Sequence, residues 1–230
     1  MKLRVFYGGT FDPVHLGHLA IARAARDALR CDVRLVPAAD PPHRAPPGAD
    51  AAHRARMLDL ALAGEDGLRV DLRELRRAAL RPDAPSYTVD TLRELRAEYG
   101  EAAPLALLVG ADSLLGLPTW REWRALFRLA HFVVAGRPGC PLDGPLPPEL
   151  EQALRGRWTG DPRELRAAPA GLVYRLGQPL HPGSATEVRR SIAAGEPWEA
   201  LVPPAVAAYI RREGLYGAGP STGSPAPPPL

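Results

Sequence analysis

The chain has 230 residues, 46% of them apolar and 24% charged, with 29 basic against 26 acidic residues and a formal net charge of +3. That length and apolar content suit one domain with a substantial core, and the arginines interleave with Asp and Glu along helical stretches, which excludes a basic nucleic-acid-binding block. No apolar run approaches membrane-spanning length, and Cys31 and Cys140 form no Cys-x-x-Cys pair, so the expectation is a cytoplasmic protein with reduced thiols, no signal peptide and no membrane partner.

Leu3-Arg4-Val5-Phe6-Tyr7 predicts a buried strand, and Leu19 to Leu29 has the apolar spacing of a helix. Between them lies Gly8-Gly9-Thr10-Phe11-Asp12-Pro13-Val14-His15-Leu16-Gly17-His18. Gly8 and Gly9 allow a tight turn and close approach by a ligand, while a helix starting near Leu16 directs its unsatisfied N–H groups at the same spot, where anions are favoured. His15 and His18, three apart, share a face there, and imidazole N–H groups suit phosphate oxygens. Gly17 between them leaves room for a base or sugar. A zinc pair has the same spacing, but no Cys or acidic partner stands nearby at ligand spacing, so no metal-ligating residues are expected.

This stretch resembles the signature of the nucleotidyltransferase superfamily, and its wording is most similar to the nicotinate-nucleotide adenylyltransferases of bacterial NAD synthesis. The resemblance implies that Gly8, Gly9, Thr10, Phe11, His15, Gly17 and His18 bind ATP.

Further along, Cys31 to Pro37 reads as a second buried strand, giving a strand–helix–strand crossover, and the loop Ala38 to Pro47 then lies at the same carboxyl edge. Arg44 in that loop can reach a phosphate; the resembled family usually has lysine after Pro-Pro-His, so the charge is kept. Ala51 to Ala63 is a helix whose Arg54 and Met57 read as structural. Leu68 to Leu72 predicts a third strand, followed by a polar loop through Pro85. Ser86 or Thr88 caps a helix to Tyr99, and the resemblance places the backbone at Thr88 beside a pyridine carboxylate, a sensible partner for a helix N-terminus.

Pro104 to Val109 is a continuous apolar run emptying into Gly110-Ala111-Asp112-Ser113, as in a central parallel strand whose end faces a ligand crevice. Asp112 then serves a ribose or a metal-bound phosphate, or caps a helix. Trp120 and Trp123 share a helical face; the resemblance implies that Trp120 stacks near a nicotinate ring while Trp123 packs in the core. Ala130 to Ala135 is a fifth strand, with Arg137 beyond its end to bind a mononucleotide phosphate or tie down the loop. Residues 140 to 170 offer only a short helix near Pro148 to Leu154, and Leu172 to Leu176 is the last strand.

The second informative stretch is Pro182-Gly183-Ser184-Ala185-Thr186-Glu187-Val188-Arg189. Hydroxylic residues opening a helix, with Arg189 one turn in, offer donors to an anion. It resembles the superfamily's Ser-Ser-Thr-x-Ile-Arg motif, with Ala185 and Val188 as departures, and implies ATP-binding roles for Ser184, Thr186 and Arg189. Pro203 to Glu213 closes the domain at 216, and residues 217–230, rich in Gly, Pro and Ser, are expected to be a disordered tail.

The expected fold is a doubly wound parallel α/β sheet, Rossmann-like in its ligand placement. The resemblance implies adenylyl transfer from ATP to nicotinate mononucleotide, with His15, His18 and Arg189 catalytic, Arg44, Thr88, Asp112, Trp120 and Arg137 at the acceptor, and Mg2+ carried in by ATP. Competing readings are transfer to nicotinamide mononucleotide, transfer to phosphopantetheine, and a nucleotide-binding protein without turnover. Homo-oligomerisation is left open.

Overall fold

The computed structural model describes residues 1–39, 48–81, 84–136, 144–179, 181 and 183–219, so Arg44, Arg137 and Cys140 lie outside the described residues. Strands β1 (Arg4–Gly9), β2 (Val33–Pro37), β3 (Leu68–Val70), β4 (Leu105–Gly110), β5 (His131–Ala135), β6 (Trp158–Thr159) and β7 (Val173–Leu176) form one sheet in the order β3-β2-β1-β4-β5-β7-β6. Every pairing is parallel. The strand order reverses at β1, which has β2 on one side and β4 on the other, so a crevice opens at the carboxyl ends of β1 and β4.

Side-chain alternation splits the core in two. Val5, Tyr7, Ala106, Leu108 and Val133 face one way, against helices α1 (Leu16–Leu29), α2 (Ala51–Leu62), α8 (Ala185–Ala194) and α9 (Pro204–Glu213). Phe6, Leu107, Val109, Phe132 and Val134 face the other way, against α4 (Thr88–Tyr99), α6 (Trp123–Leu129) and α7 (Pro148–Leu154). The short α5 (Ala111–Leu115) follows β4 directly. No helix among the described residues is long and apolar enough to cross a membrane.

Three expectations need correction. The polar loop predicted through Pro85 contains a helix, α3 (Arg73–Leu80), with no buried residue to betray it. It is held by charge, through Arg73 to Asp71 at 2.7 Å and Glu98 at 3.0 Å, and Arg77 to Glu94 at 2.8 Å. Neither Ser86 nor Thr88 caps α4. Tyr87 holds that position and makes no side-chain capping bond, and the Ser86 hydroxyl instead accepts from Arg77 at 2.7 Å. At the other end of the chain, Ala218 is buried in the core, two residues past the expected boundary at 216.

Burial pushes the Cys31 thiol up to about 11, which favours its protonated form. His131 is fully buried at the start of β5, with Nε2 bonded to the Ala168 carbonyl at 2.9 Å and Nδ1 accepting from Leu172 N–H at 3.0 Å. Burial lowers its pKa below the usual 6.5, against the Ala168 bond and with the help of Arg96. The unfolded chain therefore takes up this proton first on acidification; the stability is complete above about pH 6.5 and is lost below it. His131→Gln is expected to flatten the fall in urea midpoint between about pH 7 and about pH 5. An unchanged slope would show that the imidazole contributes nothing to acid sensitivity.

Candidate active site

A cavity of about 650 Å³ occupies the crevice. Its walls include Gly8, Gly9, Thr10, Phe11, Asp12, His15, Gly17 and His18 from the first motif, Thr88, Asp112 and Trp120 from the middle of the chain, and Thr186 and Arg189 from α8. That volume is of the size that takes a nucleotide-scale ligand.

His15 is the N-cap of α1. Its Nδ1 accepts from Gly17 N–H at 3.1 Å, while His18 Nδ1 accepts from His15 N–H at 3.3 Å, a capping box built from two imidazoles. The rings lie 3.8 Å apart, tilted by 35°. Because each Nδ1 receives a backbone N–H, each ring carries its own proton on Nε2. Phe11, with φ of 52°, turns its ring edge-on to His18 at 4.9 Å and to Tyr7 at 5.5 Å. Gly9 makes this possible, since a Cβ there would meet the Phe11 ring at 2.9 Å. Gly17 is likewise a close-approach glycine: a Cβ would meet His15 Cε1 at 2.9 Å and His181 Nδ1 at 3.3 Å. His15 and His181 thus crowd the point a Gly17 side chain would occupy, while Gly17 itself lines the cavity.

Asp12 is the hub beneath the site. It is buried, and its carboxylate accepts from Gly48 N–H at 2.7 Å, Ala49 N–H at 3.0 Å and the Tyr216 hydroxyl at 2.7 Å. Arg189 lies 3.5 Å from the same carboxylate, donates to the Asp12 carbonyl, and reaches Thr186 Oγ1 at 3.5 Å. An acid so fully committed offers little repulsion to an incoming anion. Burial, then the Asp12 bond, raise the Tyr216 pKa, so it remains a phenol donor. Arg54, fully buried, donates to the carbonyls of Thr10 at 2.9 Å and Ala38 at 2.6 Å, pinning two of the loops above it.

Helix α4 also lines the cavity and presents its first turn without a side-chain cap, so anion-seeking N–H groups are left there. This turn is braced from α3. Glu74 accepts from the Thr91 hydroxyl at 2.7 Å, and Arg77 donates to Thr91 Oγ1 at 2.8 Å and to Ser86. Burial raises the Glu74 pKa, opposed by the Thr91 bond, the Arg77 charge and the Ala39 N–H. Trp120 lies on the wall, whereas Trp123 is buried edge-on to Phe127 at 6.4 Å.

Most of the residues singled out in the sequence converge here. Ser184 does not reach the wall: its hydroxyl is the N-cap of α8, accepting from Glu187 N–H at 3.1 Å, and Ala185 faces the cavity instead. Asp112 is not a helix cap, since Gly110 holds that position. Sequence reasoning gave no role to Asp12, Glu74, Thr91, His181 or Tyr216. Asp12 alone had a signal, as the one acid inside a motif otherwise suited to anions. Among the described residues, no group of three or more His, Cys, Asp or Glu is arranged to hold a metal ion.

A family model described as cytidylyltransferase-like matches residues 6–191. A protein of Stenotrophomonas maltophilia (strain K279a) named "Probable nicotinate-nucleotide adenylyltransferase" is 63% identical over 216 residues, 94% of this chain and 97% of that one. The chain belongs to the nicotinate-nucleotide adenylyltransferases, within the cytidylyltransferase-like family. Another family member, from Xylella fastidiosa (strain M12), is 52% identical with the same coverage. Among solved structures, the Plasmodium falciparum nicotinic acid mononucleotide adenylyltransferase complexed with NaAD aligns with a TM-score of 0.71, covering 95% of this chain and 99% of that one. At 15% identity that likeness is one of fold.

Proposed function

We propose that the chain transfers AMP from ATP to the 5′-phosphate of nicotinate mononucleotide, giving nicotinate adenine dinucleotide (deamido-NAD) and pyrophosphate. One observation carries this reading beyond the family name: a single cavity is lined by two anion-seeking groups, the imidazole pair with Arg189 and the N-terminus of α4, which has no side-chain cap.

The acceptor's ionised phosphate is already a nucleophile and needs no protein base. It attacks the α-phosphorus in line, forming the new P–O bond as the bond to the β-phosphate oxygen breaks, and the electron pair leaves with pyrophosphate. Catalysis is then positioning and charge stabilisation. His15 and His18 donate from Nε2 to phosphate oxygens, Arg189 adds a guanidinium, and Thr186 and the Gly8 backbone complete the ATP side. Phe11, Gly9 and Gly17 shape the imidazole pair, and the Thr10 backbone is held for the same purpose by Arg54. On the acceptor side, N–H groups at Thr88 take the nicotinate carboxylate, Trp120 takes the ring and Asp112 a ribose hydroxyl. We assign Arg44 and Arg137, outside the described residues, to the acceptor phosphate. Mg2+ arrives as part of the ATP substrate, neutralising phosphate charge.

Incubating the chain with ATP, Mg2+ and nicotinate mononucleotide should release pyrophosphate and form the dinucleotide. ATP binding without pyrophosphate release would replace the enzyme reading with that of a nucleotide-binding protein. Ala185→Ser, restoring the motif's second hydroxyl, would then be the first variant to make.

A further inference from the structure

Three of the chain's six histidines meet in one cavity, and only two belong to the first motif. His181 comes from the other side, on the segment leading into α8. Its Nδ1 lies 3.3 Å from the position a Gly17 Cβ would occupy, and His15 Cε1 lies 2.9 Å from that same point, so the two rings flank the bare face of Gly17. Gly183 N–H donates to His181 Nδ1 at 3.2 Å. This is the device already seen at His15 and His18, a backbone N–H on Nδ1 that leaves the ring's own proton on Nε2. Gly183 leads directly into the turn that carries Thr186 and Arg189 to the wall.

We propose that His181 is a third imidazole donor to ATP, its Nε2–H bonding a triphosphate oxygen from the α8 side while His15 and His18 bond from the α1 side. This assignment rests on the adenylyltransferase reading above. It makes His181 a catalytic residue in the strict sense, one that touches substrate, and it joins the two motifs at the same polyanion. It also explains why Gly17 carries no side chain in this chain: both rings need that face.

Two substitutions separate donor from loop brace. In His181→Asn the amide oxygen sits where Nδ1 does and keeps the Gly183 bond, but nothing reaches the Nε2 position. In His181→Gln the amide reaches the Nε2 position and the Gly183 bond is lost. The probe is an ATP analogue with a methylene bridge between the α- and β-phosphates, titrated calorimetrically with Mg2+ and no acceptor. The Asn variant should bind about tenfold more weakly than wild type, the scale of one charge-assisted hydrogen bond, and the Gln variant within about threefold of wild type. In turnover, kcat/KM for ATP should fall in parallel for Asn while KM for nicotinate mononucleotide stays within about twofold. Asn at wild-type affinity, or Gln no better than Asn, would overturn the assignment and leave His181 a brace for Gly183. Wild type that fails to bind the analogue would remove the nucleotide reading as well. Binding without turnover would sink the enzyme reading but leave the His181 contact standing.

Discussion

His18→Ala is expected to lower kcat by roughly 100-fold or more, about 2.7 kcal/mol of transition-state stabilisation. Two effects are mixed in that variant. In the proposed mechanism the ring donates from Nε2 to a phosphate oxygen, while its Nδ1 accepts His15 N–H as part of the α1 capping box. Losing a cap costs about 1 kcal/mol of stability and has no reason to slow a chemical step. His18→Asn separates the two, because its oxygen can hold the cap while no donor reaches the phosphates. Its kcat should fall as far as that of alanine, while its melting temperature should stay nearer to wild type. If His18→Asn turns over near the wild-type rate with the cap intact, the imidazole is architectural and the mechanism must be rebuilt around Arg189.

Arg189→Ala should be still more damaging, with kcat/KM for ATP reduced by roughly 1000-fold. The guanidinium is the cavity's strongest fixed cation among the described residues, and it also lies 3.5 Å from the buried Asp12 carboxylate. Removing it subtracts a phosphate donor and also leaves Asp12 with one neighbour fewer to offset its charge, which then bears on the incoming triphosphate. Asp12 keeps Gly48, Ala49 and Tyr216, so the fold should survive, and the melting temperature checks this. Arg189→Lys should recover only part of the loss, since an ammonium restores charge without the two-pronged geometry. Full activity in the alanine variant would show that the second motif only supports the fold.

What the sequence disclosed and what it hid follow one physical line. The sheet was legible because β1, β4 and β5 are buried on both faces and read as apolar runs, and α7 because Leu150 and Leu154 recur four apart behind a proline. The first motif was legible because glycines, imidazoles and a helix start coincide. Helix α3 was hidden because it has no fully buried apolar residue and stands on ion pairs, and with it went Glu74 and the bracing of Thr91. The two-residue edge strand β6 is too short for any pattern. Asp12, Tyr216 and His181 were hidden because their meaning lies in long-range partners: Tyr216 is 204 residues from the acid it bonds. The misplaced cap at α4 had a simple cause, since Ser86 is capable of capping but Arg77 claims its hydroxyl.

In the proposed reaction one cavity joins a triphosphate site to a carboxylate site. The measurement that tests it most directly is kcat/KM for nicotinate mononucleotide against nicotinamide mononucleotide, each with saturating ATP and Mg2+. A carboxylate facing the open N–H groups of α4 gains charge-assisted hydrogen bonds that an amide cannot match, so the nicotinate form should be preferred by about 10- to 100-fold. Equal constants, or preference for the amide, would contradict the assignment of the α4 turn and Thr88 to the acceptor's carboxylate.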